Sequence, residues 1–350
     1  MNCCSKCFKD FEIKGIIESK GDKGNCNFCN SEDEFVYNII ENIEIKEKFE
    51  ELLNIYTADE MKIYPSEKSE LLKNILFSQW NIFNLKAEEI YIFLKKLLPE
   101  KYERNPDLFN KAVGLKKSMD VDYIEKNSIL KKFQWNDFVK EIKFENRFHS
   151  DIFNKDIFRI VLERNIKNYK KGTRFYRARI SDSSKGFKKE EMGAPPPDKI
   201  SGGRINSQGI SCLYLANSEK TAIHEVRAGF YDHVVVAEFE LLEDIKVINL
   251  AEIDKNSPFQ TENMEMLAIN LFHLKEIANE MSKPLRKNAG ILEYLPTQYI
   301  SDFIKKEGFS GIEYKSVMEK KGINLAVFDE NFFQCKELKT YTITELNYEY

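Results

Sequence analysis

Two Cys-x-x-Cys pairs, Cys4 with Cys7 and Cys26 with Cys29, constrain this chain more than any other feature. The spacer from Cys7 to Cys26 is 18 residues, inside the roughly 15–20 usual between the pairs of a zinc site. Each pair can present two thiolates from one tight turn, and four thiolates meet the tetrahedral preference of Zn²⁺. A closed four-sulfur site leaves no open position for catalysis, so the ion expected here is structural. Cys3 could replace Cys4 only by breaking the spacing. Five of the seven cysteines lie between Cys3 and Cys29, the others being Cys212 and Cys335. In a cytosolic chain such a cluster points to metal rather than to disulfides. Residues 1–33 are too few to bury a core alone, so metal is expected to hold them.

The remaining length suits one or two further domains. The net charge of −4, with both signs mixed along the chain, argues against a dedicated nucleic-acid binder, which carries a basic excess. No apolar run approaches the roughly 20 residues of a membrane span, and the first residues lack the apolar core of a signal peptide. The chain is therefore expected to be cytoplasmic, without membrane or nucleic-acid partners. Residues 34–153 are expected to be helical, with a regulatory or interaction role. Phe35, Ile39, Ile40 and Ile43, then Phe49, Leu52, Leu53 and Tyr56, recur at helical spacing. Asp59 or Ser66 could cap later helices, and Pro99 and Pro106 punctuate loops.

Residues 154–350 change in texture. A helix through Phe158 is expected to stop at Gly172, followed by a strand Arg174–Arg179 and a Pro/Gly-rich loop over residues 193–209. Strands are expected at 212–216, 233–241, 246–250, 310–314 and 323–329, and helices at 218–228, 261–280 and 297–306. Short strands alternating with helices give an α+β domain rather than a long βαβ series.

Familiar catalytic motifs are missing. There is no GxSxG, P-loop or GxGxxG, and His224-Glu225 lacks the second histidine of HExxH because position 228 is Ala228. Arg147-Phe148-His149 has the wrong spacing for a HEPN-type nuclease. What remains is a frame of polar residues. Arg177 lies in Phe175–Arg179, Arg204 follows Gly202-Gly203, and Tyr214 lies in Leu213–Ala216. Glu225 ends the run TAIHE, and Ser316 follows GIEYK. Each has a plain structural reading as well: edge-strand or loop arginine, core aromatic, salt-bridged glutamate, capping serine.

The pieces FYRAR, GAPP, GRINSQGISCLYLA, TAIHEVR, YLPTQYI, GIEYKSV and GINLAVFD resemble the RES domain. Arg204, Tyr214 and Glu225 stand 10 and 11 residues apart, which is that family's spacing. Less specifically, Cys4/Cys7-Phe8, Cys26/Cys29 and Trp80-x-x-Phe83 resemble the N-terminal region of longer RES proteins. The resemblance implies an ADP-ribosyltransferase-like fold and an NAD⁺-degrading toxin. It implies Arg177 and Arg204 at the phosphates and ribose, Tyr214 at the nicotinamide end, and Glu225 with Ser316 at the reacting ribose. NAD⁺ would be the substrate, with water or phosphate as acceptor, and a cognate antitoxin or regulatory protein would be a partner. The same site would serve a mono-ADP-ribosyltransferase that modifies a macromolecule. A zinc-knuckle adaptor with an inactive RES fold is a further alternative, which the intact Arg204, Tyr214 and Glu225 disfavour.

Overall fold

The cysteine pairs are brought together by a small sheet rather than by helices. In the computed structural model, which describes residues 1–58, 69–283 and 290–346, Asn2–Cys4 (β1), Lys23–Gly24 (β2) and Glu34–Asn38 (β3) pair antiparallel in the order β1-β3-β2. The helix Phe11–Lys20 lies between β1 and β2 in sequence and starts at Asp10, whose carboxylate accepts from the Glu12 and Ile13 amides at 3.0 Å. The helical spacing read from Phe35 to Ile43 is therefore corrected. Phe35 is in β3, and Ile40 and Ile43 are 71% and 63% exposed. β3 must be extended to pair with both β1 and β2, which lead into the two cysteine pairs, and that tertiary demand overrides the local pattern.

The next helix, Glu44–Asn54, does bury Ile45, Phe49, Leu52 and Leu53. Tyr56 leaves it for Tyr56–Thr57 (β4), which joins Glu70–Leu71 (β5) and Ala112–Leu115 (β6) in the order β4-β6-β5. Pro99 opens the helix Pro99–Arg104 instead of marking a loop, because its missing N–H would have no helical partner at that position. Pro106 likewise precedes the short helix Asp107–Asn110. The caps expected at Asp59 and Ser66 lie outside the described residues.

The chain divides into two compact units. The first comprises Met1–Gln134, Ile152–Val161 and Asp254–His273, and the second Trp135–Asp151, Leu162–Ile253 and Leu274–Tyr350. The centre of the first is aromatic. Phe8 packs on Phe83 and Phe93, and Phe49 packs on Phe83, Phe93 and Phe259, with ring centroids 5.1–5.6 Å apart. Backbone bonds fix the same junction: the Asn84 amide donates to the Cys7 carbonyl at 2.8 Å, and that of Lys9 to Ile82 at 2.7 Å.

The second unit is built on an eight-stranded sheet. Its strands are Ile166–Tyr169 (β7), Arg174–Ser181 (β8), Leu213–Ala216 (β9), His233–Leu241 (β10), Ile245–Asn249 (β11), Gly311–Lys315 (β12), Ile323–Val327 (β13) and Phe333–Thr342 (β14). They are ordered β14-β10-β8-β9-β13-β12-β11-β7, and only β11 and β12 are parallel. Strand and helix together make the chain α+β. The helix expected to reach Gly172 ends at Glu163, and β7 follows it. Gly172, at φ +86°, belongs instead to the turn between β7 and β8. β14 was not expected at all. Among the described residues it pairs only with β10 along the sheet edge, and its mostly exposed charged and polar residues carry no alternating apolar signal.

One sheet face buries Phe175, Leu213, Leu215, Val235, Ala237, Leu325 and Val327. The other holds Ala178, Ala216, Val234 and Val236, covered by Ala222 of the helix Glu219–Glu225. No helix among the described residues is long and apolar enough to cross a membrane.

Candidate functional site

Strand register sets the frame of the site. Tyr314 of β12 pairs with Asn324 of β13, Asn324 with Ala216 of β9, and Ala216 with Tyr176 of β8. Paired residues share a face, so these four form one row across the sheet. The helix Glu219–Glu225 covers that face. Ser218 caps it by accepting from the Thr221 amide at 3.1 Å, and the Asn217 side chain receives the Thr221 hydroxyl and the Ile323 amide. This start places Glu225 in the last turn, above Asn324.

The Glu225 carboxylate is held by two buried donors. Ser316 donates its hydroxyl to Oε1 at 2.5 Å, and Asn324 its amide to the same oxygen at 2.8 Å. Ser316 is 8% exposed and Asn324 5%, while Glu225 itself is exposed. Among the described residues no donor reaches Oε2 and no cation pairs with Glu225, so the salt-bridge reading of this residue finds no partner. Ser316 also receives the Met318 and Glu319 amides, which closes the turn behind it. Gly322 permits that turn: a Cβ there would meet Ser316 Cβ at 2.8 Å and Thr221 Cγ2 at 2.7 Å.

A second group surrounds Arg204. Tyr214 donates its hydroxyl to Asn206 Oδ1 at 2.6 Å and receives the Ile205 amide at 3.4 Å. Gly203 passes so close that a Cβ would lie 2.9 Å from both the Tyr214 hydroxyl and Asn206 Oδ1. Gln298 donates to the Gly203 and Asn206 carbonyls at 2.7 and 3.0 Å. The loop carrying Arg204 is thus held from both sides. Arg204 donates to the Glu280 carbonyl at 2.6 Å, in the last turn of the helix Met264–Ser282, where carbonyl dipoles favour a cation. Burial lowers the pKa of its guanidinium, an effect that the nearby tyrosines Tyr294 and Tyr314 oppose.

Tyr314 connects the two groups. Burial pushes its phenol well above the usual range; Glu225 raises it further and Arg204 lowers it. Tyr214 is likewise pushed up, by burial first, and stays a neutral donor.

Arg177 stands apart. It pairs with Ala237 of β10, on the face opposite Tyr214. Its Nη1 reaches the Tyr214 carbonyl at 3.2 Å across the β8–β9 junction, where a single residue pair joins the strands. Its Nε is buried without a hydrogen-bond partner. Arg179 donates to the Glu191 carbonyl and lies 4.3 Å from the Phe187 ring centroid. His224 makes its 3.0 Å contact to the Met318 carbonyl from a half-buried position.

The sequence reading assigned nothing to Asn324, Gln298 or Tyr314. Both Asn324 and Gln298 lie inside runs that carried the family resemblance, but only the strand register and the loop closure show what they touch.

In the first unit, the sulfurs of Cys4, Cys7, Cys26 and Cys29 all lie within 4.8 Å of one another. Cys4 is 3.8 Å from Cys7 and 3.4 Å from Cys29, and Cys7 is 3.5 Å from Cys26. Four sulfurs bound to one tetrahedral zinc would be separated by about 3.8 Å, given Zn–S bonds of about 2.3 Å. Burial pushes the Cys4 thiol up, whereas hydrogen bonds from Cys3 and Cys7 push Cys26 down. Four thiolates this close need a cation between them, and the donor set fits zinc.

The second unit therefore presents a helix-borne carboxylate held by a serine and an asparagine, beside a loop-borne arginine. The RES domain profile matches residues 174–348, half of the chain, and the chain belongs to the RES domain family. Among solved structures, the M. tuberculosis MbcT-MbcA toxin-antitoxin complex is similar at 14% identity and a TM-score of 0.33, over 51% of this chain and 88% of that one. No curated protein matched the chain.

Proposed function

We propose that this protein cleaves the nicotinamide–ribose bond of NAD⁺, passing the ADP-ribosyl group to water or phosphate, and so depletes NAD⁺ as a toxin or defence effector. The observation that carries the reading is Glu225. Its carboxylate is fixed through one oxygen by buried Ser316 and Asn324 and is otherwise open, on a segment the RES family shares.

The chemistry asks for little more. Nicotinamide leaves a cationic pyridinium as a neutral molecule, so the general acid of most glycosidases is not needed. Positive charge instead develops on the ribose, and a preoriented carboxylate stabilises it. Ser316 and Asn324 orient the carboxylate before the substrate arrives. Arg204 supplies a planar guanidinium suited to a diphosphate, and Tyr214 and Gln298 hold its loop. Arg177 acts beneath β9 as a positioning residue rather than at the ribose. The exposure of Glu225 leaves room for an acceptor such as water or phosphate to reach the bond. At the other end of the chain, Cys4, Cys7, Cys26 and Cys29 would hold one structural Zn²⁺, which contributes to folding and takes no part in the reaction.

The test is to incubate the purified protein with NAD⁺ and follow free nicotinamide, with and without phosphate. Release of nicotinamide with free ADP-ribose, or its 1-phosphate when phosphate is present, is expected. ADP-ribose found attached to protein or nucleic acid would support the transferase reading instead, and no nicotinamide release would support the adaptor reading.

A further inference from the structure

The first unit contains a cavity of about 250 Å³ that the proposed reaction does not use. Its lining comes from separate segments: Glu50, Leu53 and Asn54 from the helix Glu44–Asn54, Tyr56 from β4, Lys101 and Arg104 from the helix Pro99–Arg104, and Lys116 just after β6. Leu53 and Leu108 give it an apolar wall. Tyr56 is fixed there because its hydroxyl accepts from Trp80 Nε1 at 2.7 Å.

The charge in this cavity is unbalanced. Three cations, Lys101, Arg104 and Lys116, face one lining carboxylate, Glu50. Arg104 has a partner on its own helix, Glu100 at 3.0 Å, but both side chains of that pair are exposed, and such pairs contribute little. Among the described residues Lys101 donates only to the neutral Asn54 side chain. Among the described residues neither Lys101 nor Lys116 has a carboxylate within ion-pair distance. Burial lowers the pKa of the Lys101 ammonium; Glu50 opposes this, and Lys116 and Arg104 add to it. Like charges drawn around a partly desolvated ammonium repel one another, and an anion among them would attract each and offset that repulsion.

We infer that this cavity binds a compact phosphate-bearing anion, held by Lys101, Arg104 and Lys116. Three cations against one carboxylate leave a net positive charge close in size and opposite in sign to that of a phosphate group, which carries about −1.5 to −2 at pH 7. A volume of about 250 Å³ falls below the roughly 300–1,000 Å³ of pockets for larger ligands. It suits a phosphate or a small phosphorylated metabolite rather than a dinucleotide. Asn54 and Asn105 supply neutral polar groups at the rim.

The experiment is calorimetric titration of the full chain with inorganic phosphate, in the Arg204→Ala background so that uptake by the second unit does not count. Saturable binding is expected. Lys101→Ala should weaken it at least tenfold, and Lys116→Ala severalfold. Lys116 is exposed, so its replacement tests the charge without disturbing the core. Raising the salt concentration should weaken binding, as for any partly exposed ionic site. Absence of saturable binding in this background, or binding unchanged by both lysine variants, would overturn the inference. Neither result bears on nicotinamide release, which is measured separately.

Discussion

The two clusters in this chain are assembled in opposite ways. The cysteine cluster draws its ligands from two four-residue windows, and Cys4 and Cys29 are only 25 residues apart. The carboxylate cluster joins Glu225 to Ser316 and Asn324, which are 91 and 99 residues away. A metal site can be encoded by local spacing because the ion itself supplies the organising force. A carboxylate held by neutral donors has no such organiser and depends on the register of the whole sheet. The first cluster should therefore fail with its ligands, and the second with its strands.

The largest effect is expected at the cysteines. Removing zinc with a chelator, or replacing Cys26 with Ser, should unfold the β1-β3-β2 sheet, since structural zinc contributes about 10–16 kcal/mol of apparent binding free energy in small domains. Metal analysis should give about one zinc per wild-type chain, and limited proteolysis of the variant should cut within the first 40 or so residues while sparing the large sheet. Full resistance to proteolysis in a zinc-free protein would remove the metal from this picture.

A smaller effect separates the units by pH. His273, wholly buried in the first unit with Ser128 Oγ 3.2 Å from its Nε2, has its pKa lowered by burial to about 3 from the ordinary 6.5. Between those values the unfolded chain takes up a proton that the folded chain refuses, so stability falls as pH drops through this window. The slope is about 1.4 kcal/mol per pH unit, giving a loss of about 2 kcal/mol at pH 5. Denaturant titrations at pH 7 and pH 5 should show this loss, and His273→Gln should reduce it. An equal pH dependence in both proteins would assign the effect elsewhere.

The smallest effect should fall on the carboxylate's supports. Asn324→Ala removes one donor to Glu225 and should lower kcat by about tenfold, the kinetic equivalent of one ordinary hydrogen bond. KM for NAD⁺ should change little, and Asn324→Asp should not rescue, because it places a second carboxylate against the first. A rise in KM with unchanged kcat would make Asn324 a binding residue instead.

What could be read from the sequence follows the same division. The paired cysteines, and the order of Arg204, Tyr214 and Glu225 along a loop, a strand and a helix, depend on nearby residues and were legible. So were the strand His233–Leu241 and the apolar face of Glu44–Asn54. Asn324 was not, because a polar residue opening an apolar strand gives no sign of its partner until β13 is set between β9 and β12. Arg177 shows the converse. The family resemblance suggested a place for it at the site, but strand alternation puts it on the face opposite Tyr214. β3 and β7 were missed because one satisfies the cysteine sheet and the other an edge of the large sheet, and neither demand is local.

The most direct test is nicotinamide release by wild type and by Glu225→Gln, each at saturating NAD⁺. The substitution keeps the shape and hydrogen bonding of Glu225 but removes its charge. An interaction that strengthens as the ribose becomes cationic acts on turnover more than on ground-state binding. The expected result is a kcat lower by about 10²–10³, with NAD⁺ affinity nearly unchanged. Turnover of Glu225→Gln at the wild-type rate would contradict the assignment of Glu225 to the reacting ribose.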